Sequence, residues 1–146
     1  MRRGPGPRGP GHRRRGPGGA RCRRLVEPGV WEVQARIERF IEPALLLLLA
    51  ERERHGYELV EELPDVTGEA RRVDMGNLYR LLRSLEREGV VESEWAEGEE
   101  GPAKRVYRLT DAGRALLDTW ASGLHEANGV VTAFLDRHEK GKEVSE

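Results

Sequence analysis

Hydrophobic positions recur at helical spacing along much of the chain. The first such pattern predicts a helix, and its apolar positions are Val30, Val33, Ile37, Phe40 and Ile41. The next stretch, PALLLLLA (43–50), is apolar on nearly every side, which indicates a helix buried on nearly every side. Its proline suits a first helical turn. Gly56 then breaks the pattern, and YELVEEL (57–63) predicts a short amphipathic helix that ends before Pro64.

A third helix is predicted for DMGNLYRLLRSLEREG (74–89). Asp74 is a favourable N-cap, and Gly89 suits the left-handed residue that commonly closes a helix. The apolar positions, at i, i+3, i+4 and i+7, form one stripe: Leu78, Leu81, Leu82 and Leu85. The opposite face is cationic and rich in donors, with Arg80, Arg83 and Arg87 flanked by Asn77 and Ser84. The leucines are expected to hold this helix against a core while the arginines face outward.

Two alternating stretches follow the third helix. VVESEWAE (90–97) and RVYRLT (105–110) predict strands, and the turn residues of EGEEGPAK between them predict a β-hairpin. A last helix is predicted from about residue 111 to residue 139, with acid in its first turn and basic residues near its end. Three helices followed by a hairpin is the winged helix-turn-helix plan. The predicted fold is therefore mainly α, with a small β-hairpin wing and a long C-terminal helix.

The last helix carries a heptad pattern. Its apolar positions step by three and four residues in alternation: Leu117, Trp120, Leu124, Ala127, Val131 and Phe134. A helix of this length spans roughly 43 Å at about 1.5 Å per residue, more than a small winged domain needs. Packing on the chain's own first helix would cover part of the seam. A second copy of the chain is the predicted partner for the rest, so this seam is a predicted homodimer interface.

Charge divides the chain into two unlike parts. Residues 1–24 contain nine Arg and no acidic residue, whereas from Leu25 onward 16 Lys and Arg stand against 26 Asp and Glu, a net charge of −10. A basic tail on an acidic body favours a nucleic-acid partner, although a tail that only increases solubility would carry the same charges. Residues 1–29 are mostly Gly, Pro and Arg, with little to bury, which predicts disorder.

Several other classes of protein are not supported by the residues. Cys22 is the single cysteine, so no internal disulfide forms, and a cytoplasmic protein is expected. The apolar run at 44–50 is shorter than the roughly 20 residues of a membrane span, and the basic N-terminus lacks the apolar stretch of a signal peptide. No partner in a membrane is expected.

Catalytic and metal-binding patterns are also missing from the sequence. It contains no glycine-rich phosphate loop, HExxH or GxSxG pattern. Its four histidines lie far apart in the sequence, at His12, His55, His125 and His138, and one cysteine cannot build a zinc site, which leaves only a site shared across a dimer. We therefore expect neither an enzyme nor a protein that needs a metal or other cofactor.

Three stretches resemble the PadR family of bacterial transcriptional regulators, which are winged-helix proteins that mostly repress genes. They are EPALLLLLAERERHGYELVEEL (42–63), GNLYRLLRSLEREGVVES (76–93) and KRVYRLTDAGRALL (104–117). The resemblance implies a DNA-binding dimer of the compact type, with a single C-terminal dimerisation helix. It places Asn77, Tyr79, Arg80 and Arg83 on the DNA-facing helix, where Arg87 extends the same cationic side, and Lys104 and Arg105 on the wing.

Two departures from the family pattern bear on DNA binding. Asn77 stands where threonine is usual, which predicts an altered base preference. The wing tip is acidic, with Glu97, Glu99 and Glu100, so its insertion into a minor groove is not favoured. The arginine-rich tail is the predicted substitute, since each phosphate neutralised releases counterions and flexible arms reach the minor groove.

The sequence thus predicts four segments: a disordered basic tail (1–29), a winged helix-turn-helix DNA-binding domain (30–110), a dimerisation helix (111–140) and a disordered end (141–146). The predicted function is a dimeric repressor that reads a palindromic operator, with half-sites about 34 Å apart. A small-molecule effector would relieve repression from an apolar pocket near Leu46 and Trp120. The alternative is a winged-helix module for protein contact or RNA binding, in which the tail binds nucleic acid without specificity.

Overall fold

The computed structural model describes residues 23–33, 35, 37, 39–69, 72–96 and 104–144. In chain order its elements are β1 (Arg23–Glu27), β2 (Val30–Val33), α1 (Ile41–Glu51), β3 (Arg54–His55), α2 (Gly56–Thr67), α3 (Met75–Arg87), β4 (Val91–Ala96), β5 (Lys104–Leu109) and α4 (Asp111–Val144). The chain divides into two compact units, residues 1–38 and residues 39–146. Each unit is described by itself below.

The first unit contains an antiparallel hairpin of β1 and β2, in which Leu25 lies opposite Trp31. Gly29 has φ +80°, a left-handed conformation that glycine adopts without strain. The helix predicted from Val30 is therefore wrong for residues 30–33, and the disorder predicted for residues 1–29 is wrong for residues 23–27. β-Branched and aromatic residues favour strands, and they make up most of β2. The remaining part of the predicted tail, residues 1–22, lies outside the described residues.

The second unit is built around a leucine-rich core. α1 is buried on nearly every side, as predicted, with Leu47 exposed. The core is contributed by α1, α2, α3 and the sheet, and its members are Ala44, Leu45, Leu46, Leu48, Leu49, Leu59, Leu63, Leu78, Leu82, Leu85, Val90, Val91, Tyr107 and Leu109. The helices and the wing are therefore held by one set of apolar contacts.

α2 differs from its prediction at both ends. It begins at Gly56, because α1 has already ended at Glu51 and the two residues before Gly56 form β3. It also continues through Pro64 to Thr67. The Gly68 N–H donates to the Pro64 carbonyl at 2.8 Å, which closes this last turn. Pro64 is buried, so tertiary packing outweighs the low helix propensity of proline at this position.

The predicted hairpin is confirmed, and a third strand is added to it. The strand order is β3-β5-β4, and both pairs are antiparallel. Tyr107 of β5 lies opposite Ser93 on one side and Arg54 on the other. β3 is only two residues long, so no alternating pattern revealed it. The acidic wing tip predicted from Glu97, Glu99 and Glu100 lies outside the described residues.

A network of charged side chains joins α1, β3 and α2. The buried Arg54 guanidinium donates to the Leu48 carbonyl and pairs with Glu62. The exposed Arg52 bridges Glu58 at 2.8 Å and Glu62 at 3.0 Å. The hydrogen bond from Arg52, together with one from the His55 backbone N–H, lowers the pKa of the Glu58 carboxyl. Side chains therefore satisfy polar groups at the end of α1 and at the start of α2.

The 34 residues of α4 span roughly 51 Å at about 1.5 Å per residue. It begins where predicted but reaches Val144, so the disordered end predicted for residues 141–146 is wrong for 141–144. The Thr110 hydroxyl donates to the Gly89 carbonyl at 2.7 Å and accepts from the Gly113 N–H at 3.1 Å. The start of α4 is therefore attached directly to the turn that follows α3.

Candidate nucleic-acid interface

α3 is placed as its sequence pattern predicts. Leu78, Leu82 and Leu85 are fully buried. The Asp74 carboxylate accepts from the Asn77 backbone N–H at 2.8 Å, which confirms the N-cap. Gly89 has φ +76°, which confirms the left-handed residue after the helix. Because one side of α3 is buried and both ends are capped, its opposite side is presented in a fixed orientation.

That opposite side, the arginine face, consists of Arg80, Arg83 and Arg87. All three side chains are exposed. Within the described ranges none of them forms an ion pair, whereas Arg52, Arg54 and several other arginines do. Unpaired guanidinium groups retain their donors for phosphate oxygens or for the O6 and N7 acceptors of guanine. The arginine face therefore has the chemistry of a nucleic-acid contact.

Asn77 is exposed at the N-terminal end of α3, but its side chain is partly occupied. Its Nδ2 donates to Asp74 Oδ2 at 2.8 Å, in addition to the backbone cap. Asp74 was predicted only as a cap, and this second bond was not predicted. A base contact by the amide group of Asn77 would use its carbonyl oxygen or replace the bond to Asp74.

The wing, formed by β4 and β5, contributes its two predicted cations unequally. Lys104 is exposed. Arg105 donates from Nε to Ser93 Oγ at 2.6 Å, lies 3.6 Å from Glu86 and stacks over the Trp95 ring at 5.5 Å. Its charge is therefore partly neutralised within the wing and α3. Sequence alone did not reveal these partners, since they come from a strand and a helix that are distant in the chain.

A cleft of about 550 Å³ lies between α3, the start of α2 and the wing. Its lining residues are His55, Gly56, Tyr57, Tyr79, Arg83, Glu86, Trp95, Lys104, Arg105 and Tyr107. A Cβ added to Gly56 would lie 3.1 Å from the Tyr79 hydroxyl, so this glycine lets the ring approach α2 closely. Burial raises the pKa of the Tyr107 hydroxyl, against the opposing effect of the Arg105 guanidinium.

This α3–wing cleft brings together Tyr79, Arg83, Lys104 and Arg105 from the predicted DNA-binding set. Arg80 and Arg87 do not line it and lie on the arginine face alone. Trp95 also lines the cleft and was not predicted as a site residue. An exposed tryptophan on a strand that alternates polar and apolar residues was the available signal, because large exposed aromatic residues often mark binding surfaces.

The residues predicted for the dimer seam fall into two groups. Leu117 and Trp120 pack against the core, and Trp120 Nε1 donates to Glu42 of α1 at 2.6 Å. Farther along α4, Leu124 is half-buried, and Ala127, Val131 and Phe134 are exposed. Val131 and Phe134 are 53% and 68% exposed, so the described residues of this single chain leave these two side chains of the seam uncovered.

The α3–wing cleft is not the predicted effector pocket. Leu46 is fully buried in the core, and Trp120 lies at its edge; neither lines the α3–wing cleft. Within the part of the chain that the structure describes, no group of three or more His, Cys, Asp or Glu side chains could hold a metal ion. Nor is any described helix both long and apolar enough to cross a bilayer.

Comparisons with known proteins agree with this fold. The model of the transcriptional regulator PadR-like family matches residues 45–119, slightly more than half of the chain. Transcriptional regulator Rv3488 of Mycobacterium tuberculosis is 42% identical over 77 residues, which are 53% of this chain and 68% of that protein. A PadR-like transcriptional regulator of Bacillus cereus has 25% identity and a TM-score of 0.58, covering 65% of this chain and 90% of its own.

A solved complex is also similar to this chain. Bacillus subtilis PadR with operator DNA has 26% identity and a TM-score of 0.51, covering 57% of this chain and 47% of that one. The chain therefore belongs to the PadR-like family of transcriptional regulators. It is a DNA-binding regulator with a winged-helix fold and a long C-terminal helix, and it is not an enzyme.

Proposed function

We propose that this regulator is a homodimeric, sequence-specific repressor that inserts α3 into the major groove of a palindromic operator. The observation that carries the proposal is the arginine face, with its exposed arginines that lack ion pairs within the described residues. A major groove about 12 Å wide admits an α-helix, and arginine binds guanine edges or phosphates there. The similarity to Bacillus subtilis PadR, solved with operator DNA, supports operator DNA as the partner.

The homodimer in this proposal is supported by the distal seam of α4. Leu124, Ala127, Val131 and Phe134 continue the heptad pattern beyond the region where α4 packs on the core. A second α4 would cover these apolar side chains. Two copies related by a twofold axis would then present two α3 helices to successive turns of DNA, about 34 Å apart.

We further propose that an effector acts through α4 and that the basic N-terminal segment strengthens DNA binding in the cytoplasm. The Trp120–Glu42 hydrogen bond connects α4 to α1, so a ligand near Leu46 and Trp120 would alter the angle between these helices.

Nine arginines in residues 1–24 offset the acidic remainder of the chain. These arginines should make the affinity for DNA fall more steeply as the salt concentration rises.

The test compares two double substitutions that remove the same charge. An operator duplex is first selected from a random pool with the full-length protein. Arg80→Ala/Arg87→Ala should then weaken binding of this duplex by at least about tenfold, since one good arginine–base contact contributes about 1–3 kcal/mol. The control, Arg114→Ala/Arg137→Ala, removes two exposed arginines from α4 and should change affinity by less than about threefold.

Fluorescence anisotropy at several salt concentrations measures both variants. Equal affinities for the two variants would contradict the role of α3. If no duplex is enriched by the selection, and unrelated RNA competes as well as DNA, the alternative of a non-specific nucleic-acid binder replaces the proposal. A transcription assay on the selected operator then distinguishes repression from activation.

A further inference from the structure

We propose that the α3–wing cleft is a binding site for a free mononucleotide, which competes there with DNA. The site would hold the phosphate of the nucleotide between Arg83 and Lys104 and its base against the exposed aromatic rings. The competition rests on the function proposed above, whereas binding of the nucleotide does not. The size, the charge and the aromatic lining of the cleft support this assignment.

The size of the cleft suits a small ligand. Its volume of about 550 Å³ lies within the range of roughly 300–1,000 Å³ that is typical of small-molecule sites. Its walls come from three parts of the unit: the start of α2, the outer side of α3 and the two strands of the wing. A ligand in the cleft would therefore contact the two elements that a winged-helix protein uses on DNA.

The charge of the cleft favours an anion. Arg83, Lys104 and Arg105 line it together with one carboxylate, Glu86. That carboxylate already accepts a hydrogen bond from Ser93 and lies near Arg105. Arg83 and Lys104 have no ion-pair partner among the described side chains. Two free cations beside a neutralised pair match a phosphate monoester, which carries up to two negative charges.

The uncharged part of the lining favours a flat ring. Tyr57, Tyr79 and Trp95 are all exposed in the cleft, although large aromatic side chains usually bury most of their surface. Base–aromatic stacking is favourable and tolerates any base identity.

Competition with DNA follows from shared residues. Tyr79, Arg83 and Lys104 line the cleft and also belong to the set proposed to contact DNA. A phosphate bound between Arg83 and Lys104 would occupy donors that the DNA backbone needs. Saturating nucleotide should therefore raise the apparent dissociation constant of the operator duplex.

Calorimetric titration of the full-length protein tests the site directly. The probes are AMP, GMP, CMP and UMP, each titrated separately at moderate salt concentration. Adenosine lacks the phosphate and ribose 5-phosphate lacks the base, so each should bind at least about fivefold more weakly than the best nucleotide. The inference is overturned if none of the four nucleotides binds at millimolar concentration, or if ribose 5-phosphate binds as tightly as they do.

A matched pair of tryptophan variants locates the site. Trp95 is 63% exposed with Arg105 stacked on it, and Trp31 of the hairpin is 54% exposed with Arg23 stacked on it at 5.2 Å. Trp95→Ala should weaken nucleotide binding by at least about fivefold, whereas Trp31→Ala should leave it unchanged. Equal effects of the two substitutions would show that the nucleotide binds elsewhere, for example to the arginine-rich segment, and would overturn the assignment.

Two further measurements separate this inference from the proposed DNA binding. Arg80→Ala/Arg87→Ala removes arginines outside the cleft, so it should keep nucleotide affinity while operator affinity falls. In the wild type, the bound nucleotide should displace the operator duplex, and in Trp95→Ala this displacement should require at least about fivefold more nucleotide. Tight nucleotide binding without displacement would overturn the competition, and loss of operator affinity alone in Trp95→Ala would show that the cleft holds DNA instead.

Discussion

At the scale of single residues, the arginines of the second unit differ both in their partners and in their exposure to solvent. Arg108 is held by Glu92 at 2.7 Å and Glu94 at 3.1 Å, and these two carboxylates raise its pKa. Arg105 is held by Ser93 and Trp95. The arginines of α3 have no such partners within the described ranges. A count of charges along the sequence therefore overstates the cations available to a ligand.

Arg54 illustrates the structural role of a paired arginine. Its side chain is 7% exposed, and it bonds to Glu62 and to the Leu48 carbonyl at the end of α1. Arg54→Ala should destabilise the fold by about 2–4 kcal/mol, because it leaves a buried carbonyl and a carboxylate with fewer donors. Urea unfolding followed by circular dichroism measures the loss.

The matched control for Arg54 is Arg52, whose side chain is 51% exposed and pairs with the same Glu62. Arg52→Ala should cost clearly less stability than Arg54→Ala, since solvent screens an exposed ion pair. If both substitutions cost the same, the buried position of Arg54 has no special role.

At the scale of elements, local patterns predicted α3, β4, β5 and the start of α4 well. Each has its signal inside its own sequence: a leucine stripe, a cap, an alternation or a turn residue. The arginine face was predictable for the same reason, because exposure on a helix follows from its spacing relative to the buried stripe. The locations of these residues could therefore be inferred without tertiary information.

The elements that were predicted wrongly depend on contacts between distant parts of the chain. Val30 and Val33 fit helical spacing, yet pairing with β1 places them in a strand. β3 exists only because it pairs with β5, and α2 passes through Pro64 because that ring is buried. The α3–wing cleft belongs to the same class, since Trp95 and Tyr79 meet only after the sheet and helices pack.

The junction between the wing and α4 gives a test at this scale. A Cβ on Gly113 would collide with the Val90 carbonyl oxygen and the side chain of Leu109, whose Cγ would lie 2.9 Å away. Gly113→Ala should therefore destabilise the fold by roughly 1–3 kcal/mol or more, since the obstacle includes rigid backbone.

Gly129 provides the control for Gly113 within the same helix. An added Cβ there meets nothing within 4 Å, and the position is opposite the heptad seam. Gly129→Ala should stabilise the helix by up to about 1 kcal/mol. Thermal unfolding of both variants gives the comparison, and a neutral Gly113→Ala would show that the junction rearranges easily.

At the scale of the whole molecule, the exposed distal seam of α4 determines the expected assembly. Val131→Glu places a charge in the proposed interface of both copies, and burying an unpaired carboxylate is costly. The dimer should dissociate at least about tenfold more readily than the wild type in sedimentation equilibrium. Operator affinity should fall with it, because each monomer would contact one half-site.

Thr132→Glu is the control for this assembly. It adds the same charge one residue farther along α4, at an exposed position that turns about 100° away from the seam. Its dimer should match the wild type. A Val131→Glu protein that stays dimeric would assign dimerisation to another surface.

The Thr110 hydroxyl, which joins Gly89 to Gly113, has a consequence for mechanics. Its two hydrogen bonds, at 2.7 Å and 3.1 Å, connect the turn after α3 to the start of α4, a helix of 34 residues. Because α4 is long, a change of about 5° in its direction at this junction moves its C-terminal end through roughly 4 Å. In a homodimer, a small change in the crossing angle of the two α4 helices would therefore change the half-site spacing of the operator that the dimer binds.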